Sequence, residues 1–153
     1  MVGKFGPMMA AKRTATAVWE NDLVHGHGTV KGTIGAFGEM AVSWAARTEA
    51  PGGKTSPEEL LAAAHAACFS MALSGGLGRI QKPPERLTVS ATATFDKVGD
   101  AWKVTTMELD VTGKVPGISA AEFQQAAQAA GQGCPISNAL KGNVAISVHA
   151  KLA

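Results

Sequence analysis

The chain has 153 residues, of which 46% are apolar and 17% charged, and its formal net charge is only +2. That length and apolar share suffice for one core and are short for two, so a single globular domain over residues 11–153 is expected. Lys and Arg are scattered rather than gathered into a stripe, which argues against a nucleic-acid partner; two cysteines are too few for a disulfide scaffold.

Residues 1–10 begin with a polar, Gly-rich stretch, Met1 to Pro7, ahead of a second possible start at Met8 or Met9. They are read as an N-terminal extension or a cloning scar. The stretch lacks the apolar run of an export signal, which makes the cytoplasm the expected compartment. Three strands follow. Thr14, Thr16 and Val18 alternate with small residues, residues 30–34 and 40–44 carry the same period of two, and Gly35, Gly38 and Gly52-Gly53 punctuate them.

A long helix is expected next, because Ser56 can cap it, Pro57 suits the first helical position and Glu59 completes a capping box. Gly75, Gly76 and Gly78 are expected to stop it, with Pro83-Pro84 preventing continuation. Residues 60–78 run nineteen positions without a formal charge, close to the roughly 20 that cross a bilayer. Their Ala, Gly and Ser content, with His65 among them, makes membrane transfer too weak, so a helix buried in protein is expected. Residues 87–98 and 102–115 read as strands joined by the hairpin signal Gly99-Asp100. A second helix starts at Ser119, where Glu122 completes a capping box and Phe123, Ala126, Ala127 and Ala130 recur at helical spacing. Gly131 and Gly133 are expected to end it; a cysteine loop and a last strand over residues 144–152 follow. The predicted class is α+β.

The informative residues are the cysteines and their surroundings. Cys68 stands in Pro57-Glu58-Glu59-Leu60 through His65-Ala66-Ala67-Cys68-Phe69-Ser70-Met71-Ala72-Leu73, and Cys134 in Gly131-Gln132-Gly133-Cys134-Pro135-Ile136-Ser137-Asn138-Ala139-Leu140. From about Ala11 to its end the chain resembles the OsmC/Ohr family of osmotically inducible protein C and organic hydroperoxide resistance proteins, which are thiol peroxidases. His65-Ala66-Ala67-Cys68 is closer to the OsmC branch and Ser137-Asn138-Ala139 to the Ohr branch. The resemblance implies antiparallel sheets around a long central buried helix and a second helix, in an intertwined homodimer with two active sites at its interface. It also implies a peroxidatic cysteine at Cys68, a resolving cysteine at Cys134 and an arginine–glutamate pair at Arg47 and Glu58. Organic hydroperoxides as substrates and a dithiol reductant such as a dihydrolipoyl group are implied as well, with no metal, haem or other cofactor and no membrane partner.

Chemistry constrains each of these roles. Cys68 must be a thiolate near neutral pH, whereas an unassisted thiol has a pKa of about 8.5 and burial raises it. The helix dipole offers little, since Cys68 lies about three turns past Ser56 and the effect fades within the first turn. A cation is needed, and Arg47 is the candidate, with Arg13 a weaker rival; read alone, Arg47 is a solvated charge at a strand end. Glu58 and Cys68 are about 15 Å apart along one regular helix. Either Arg47 spans that gap, or Glu58 serves the partner subunit through antiparallel packing of two such helices.

Cys134 would resolve a Cys68 sulfenic acid as an intramolecular disulfide, and Pro135 could begin a short helix whose amino end favours a thiolate. The plainer alternative is a buried, inert cysteine. His65, three residues before Cys68, is a nucleophile partner on the sharper reading and a satisfied core or interface residue on the preferred one. His25 and His27 lack the spacing of a zinc site. Phe37, Phe69, Met71 and Ile136 are candidate pocket walls, though plain core is the commoner role. The rival functions are a dimeric redox-responsive ligand- or partner-binding protein without turnover, and a structural dimer with incidental cysteines.

Overall fold

A computed structural model describes residues 10–153, so the extension assigned to residues 1–10 lies almost wholly outside the described residues. The described residues form two compact units, 10–55 and 56–153. In the first, β1 (Ala15–Glu20), β2 (His27–Gly32) and β3 (Met40–Val42) make an antiparallel sheet in that order. Gly28 is required in β2, because a Cβ there would stand 2.8 Å from the Trp19 ring. The third strand is shorter than its sequence period implies: Ser43 accepts the Ala46 amide at 3.1 Å and caps a five-residue helix, α1 (Trp44–Thr48). Arg47 therefore sits in a helical turn rather than at a strand end.

The second unit opens with α2 (Pro57–Arg79), whose Ser56 cap accepts from the Glu59 amide at 3.1 Å. The glycines expected to stop α2 lie inside it. Gly75, Gly76 and Gly78 keep helical dihedrals, and the chain turns instead after Arg79, at Gln81 with φ of 59°. The helix is also less enclosed than expected. Glu58, His65, Phe69, Leu73 and Leu77 form one buried stripe, and Met71 on another face is 73% exposed.

Strands β4 (Arg86–Val98) and β5 (Ala101–Lys114) pair through the two-residue turn at Gly99, whose φ of 62° suits glycine. Helix α3 (Ala120–Gly133) carries the full Ser119–Glu122 capping box, and α4 (Pro135–Leu140) follows with no loop between them. The last strand, β6 (Ala145–Leu152), pairs with β5 in parallel. This sheet is thus mixed rather than antiparallel, because α3 and α4 form the crossover that a parallel partner needs. Phe69, Leu73 and Leu77 pack with Leu109, Val111 and Phe123 to make the core, which Cys134 joins.

Candidate active site

The core stripe of α2 and the junction of α3 with α4 meet, and there the two thiols lie together. Cys134 ends α3 and caps α4 with extended dihedrals, φ −65° and ψ 125°. This points its sulfur at the start of α4, where the amides of Ile136 and Ser137 have no intrahelical partner and are available to it. The cysteine loop expected from Gly131 and Gly133 is absent, since both glycines are helical. Cys134 is fully buried and Cys68 partly exposed, and each thiol shifts the ionisation of the other.

The two sulfurs are electrostatically unequal. Burial pushes Cys68 up, Cys134 adds to the rise, and the Ile136 amide opposes it. Burial acts on Cys134 in the same direction, but the Ser137 amide, the Cys68 thiol, the Ser137 hydroxyl and the Ile136 amide together outweigh it and lower Cys134. The short-helix stabilisation expected at Cys134 is therefore present. Among the described residues of this unit no cation acts on Cys68, so the cation demanded by peroxide chemistry is not supplied there.

His65 lies fully buried on the same stripe, with Nε2 2.7 Å from the Ser137 hydroxyl. Burial holds its pKa below the ordinary histidine range, and its Nδ1 has no hydrogen-bond partner. It is a core residue, as preferred, but only half satisfied. Ser137, 4% exposed, is a site residue that the sequence reading does not single out. Its position three residues after Cys134, behind Pro135, is the signal that marks it.

The other candidates belong to different elements. Glu58 is buried in the first turn of α2, ten positions before Cys68. Arg47 belongs to the first unit, where its guanidinium lies 5.9 Å from the Trp44 ring centre. Arg13, the weaker rival, is exposed and donates to the Lys12 carbonyl at 2.8 Å. Of the expected pocket walls, Phe69 is core, Ile136 packs against it, and Met71 faces outward. A cleft of about 830 Å³ borders Ser137 and is lined by Gln128, Gln132, Asn138, Lys141 and Val148 among others, but neither sulfur lines it. Among the described residues no cluster of side chains could hold a metal ion.

Known proteins resemble the chain in sequence and in fold. The OsmC-like protein family matches residues 50–149. The peroxiredoxin OsmC of Escherichia coli K12 is 38% identical over 143 residues, covering 94% of this chain and 99% of that protein. The chain belongs to the OsmC family. An organic hydroperoxide resistance protein of Xanthomonas axonopodis pv. citri is 32% identical over 100 residues, which cover 65% of this chain and 68% of that protein. The fold of this OsmC-like chain, α+β with two small sheets and helices, is also that of a Legionella pneumophila crystal structure described as an organic hydroperoxide resistance protein OsmC. That likeness has a TM-score of 0.73 at 24% identity and covers 93% of this chain and 99% of the other.

Proposed function

We propose that this OsmC-like chain is a thiol peroxidase that reduces organic hydroperoxides to alcohols. A thiol-dependent peroxidase class is indicated by the names of its relatives, a peroxiredoxin and an organic hydroperoxide resistance protein. The observation that carries the mechanism is the interacting pair Cys68–Cys134, one sulfur partly exposed and the other buried. Cys68 thiolate attacks the distal peroxide oxygen; the O–O bond breaks and the alkoxide leaves and takes a proton to become the alcohol. The Cys68 sulfenic acid is then captured by Cys134 as a disulfide, with water released. An external dithiol, such as a dihydrolipoyl group, returns both thiols by exchange.

In this reading Arg47 is the cation that stabilises the Cys68 thiolate and the leaving alkoxide, and Glu58 holds its guanidinium. About 15 Å of regular helix separates Glu58 from Cys68, so Glu58 serves the partner subunit of a homodimer in which two α2 helices pack antiparallel. The exposed apolar faces support that assembly: only 22% of the most apolar stretch of α2 is buried in one protomer, and Val18 and Trp19 of β1 are 57% and 42% exposed. The helix is long and apolar enough to span a bilayer, but its buried stripe packs into the core of the second unit, which supports the protein-covered alternative. One domain over residues 11–153 and a cytoplasmic location complete the reading.

The test is free-thiol content and intact mass after one equivalent of an organic hydroperoxide, with hydrogen peroxide alongside. Wild type is expected to lose two thiols and two hydrogens rapidly, and Cys68→Ser to form no disulfide. Unchanged thiols under both oxidants would reject the peroxidase. Repeated turnover with a dithiol separates it from a redox-responsive binding protein.

A further inference from the structure

The mechanism above leaves one buried group unused, the hydrogen-bonded pair of His65 and Ser137. We infer that His65 and Ser137 form a positioning relay that holds Cys134 as the thiolate for disulfide formation. This deepens the peroxidase reading and rests on it.

The relay follows from counting hydrogens. Ser137 has one hydroxyl hydrogen; its oxygen is 2.7 Å from His65 Nε2, and it stands in the first turn of the helix that Cys134 caps, where its hydroxyl favours the Cys134 thiolate. A thiolate sulfur accepts only, so the hydroxyl donates to it and must itself accept from Nε2–H. That fixes His65 as the neutral Nε2–H tautomer and leaves Nδ1 as a bare lone pair, in agreement with its lack of a partner. Full burial keeps the ring neutral, so Nδ1 stays unprotonated.

The relay matters most after the first chemical step. While Cys68 is a thiol, it is one of the groups that favour the Cys134 thiolate. Once it is a sulfenic acid that S–H is gone, and the Ser137 hydroxyl and the amides of Ile136 and Ser137 remain. Cys134 thiolate then attacks the Cys68 sulfur; the S–S bond forms, the S–O bond breaks, and hydroxide leaves and takes a solvent proton to become water. Around Cys134, α2 carries Glu58, Glu59, His65, Cys68 and Arg79, α3 carries Glu122, and Lys141 follows α4. Of these ionisable groups only Cys68 acts on Cys134, so its titration reads the relay.

The test uses the full chain. Thiolate ultraviolet absorbance of Cys134 is titrated in Cys68→Ser, alone and combined with Ser137→Ala, His65→Leu or His65→Gln. Loss of the hydroxyl or of the Nε2 donor is expected to cut the thiolate fraction near neutral pH about tenfold. His65→Gln, which keeps a side-chain N–H donor, is expected to restore most of it. With Cys68 present, disulfide formation in one turnover is expected to slow only about threefold in Ser137→Ala, since a more basic thiolate is a better nucleophile. The variant should catch up with wild type at alkaline pH, a crossing that mere loosening of the fold would not produce. Ser137→Ala removes a single oxygen and covers the case in which His65→Leu does not fold. Unmoved Cys134 titration in both variants overturns the relay while peroxide-dependent loss of two thiols leaves the peroxidase standing; a shifted titration without thiol loss does the reverse.

Discussion

His65 couples the stability of the second unit to pH. Its folded pKa is depressed by burial, so below the ordinary histidine value of about 6.5 the unfolded chain binds a proton that the folded chain refuses. Stability is full above that pH and is lost as pH falls toward the depressed value, at about 1.4 kcal/mol per unit of depression. Urea unfolding at neutral and mildly acid pH is expected to show this loss, and His65→Gln is expected to flatten it. Gly113 makes a second prediction at this scale. A Cβ on it would strike the Phe123 ring, with Cε2 at 2.7 Å, in the middle of the core. Gly113→Ala is expected to cost about 2–3 kcal/mol in urea unfolding, because neither strand β5 nor a buried ring can yield cheaply. The sequence offered no sign of this glycine's role, since the ring that requires it lies on α3. It did single out Cys68 and Cys134, while the inequality between them depends on amides that point at a sulfur only once α4 has formed.

Among the elements, those begun by short-range chemistry are the ones read correctly. Ser56, Ser119 and Glu122 cap helices where the pattern places them, and Gly99 turns the hairpin. Their hydrogen bonds close within a few residues. Glycines misled in both helices: Gly75, Gly76, Gly78 and Gly131 are helical here, because tertiary packing outweighs a propensity cost of about 1 kcal/mol each. Helix α1 was missed since five residues leave no periodicity to detect, and the parallel pairing of β6 since it depends on a strand far away in the chain. Ser119→Ala is expected to remove both bonds made through the serine hydroxyl and cost about 1 kcal/mol. Hydrogen exchange should place the loss in the first turn of α3, and less so at its far end beside Cys134.

For the whole molecule, the protomer leaves apolar surface on α2 that its own core does not use. Met71 is 73% exposed while Phe69 and Leu73, two positions to either side, are fully buried. If the proposed homodimer packs through this face, Met71→Glu is expected to leave the circular dichroism intact and to shift sedimentation from dimer to monomer; an unchanged dimer would move the interface off this face.

In the proposed mechanism, the unequal surroundings of the two sulfurs also set the regiochemistry of recovery. In a Cys68–Cys134 disulfide, Cys134 is fully buried and Cys68 is the reachable atom. An incoming thiolate must strike Cys68 and expel Cys134, whose depressed pKa makes it the better leaving group. The amides and hydroxyl that favour the thiolate in closing the bond thus favour it again as the bond opens, and a monothiol trap is expected to map to Cys68.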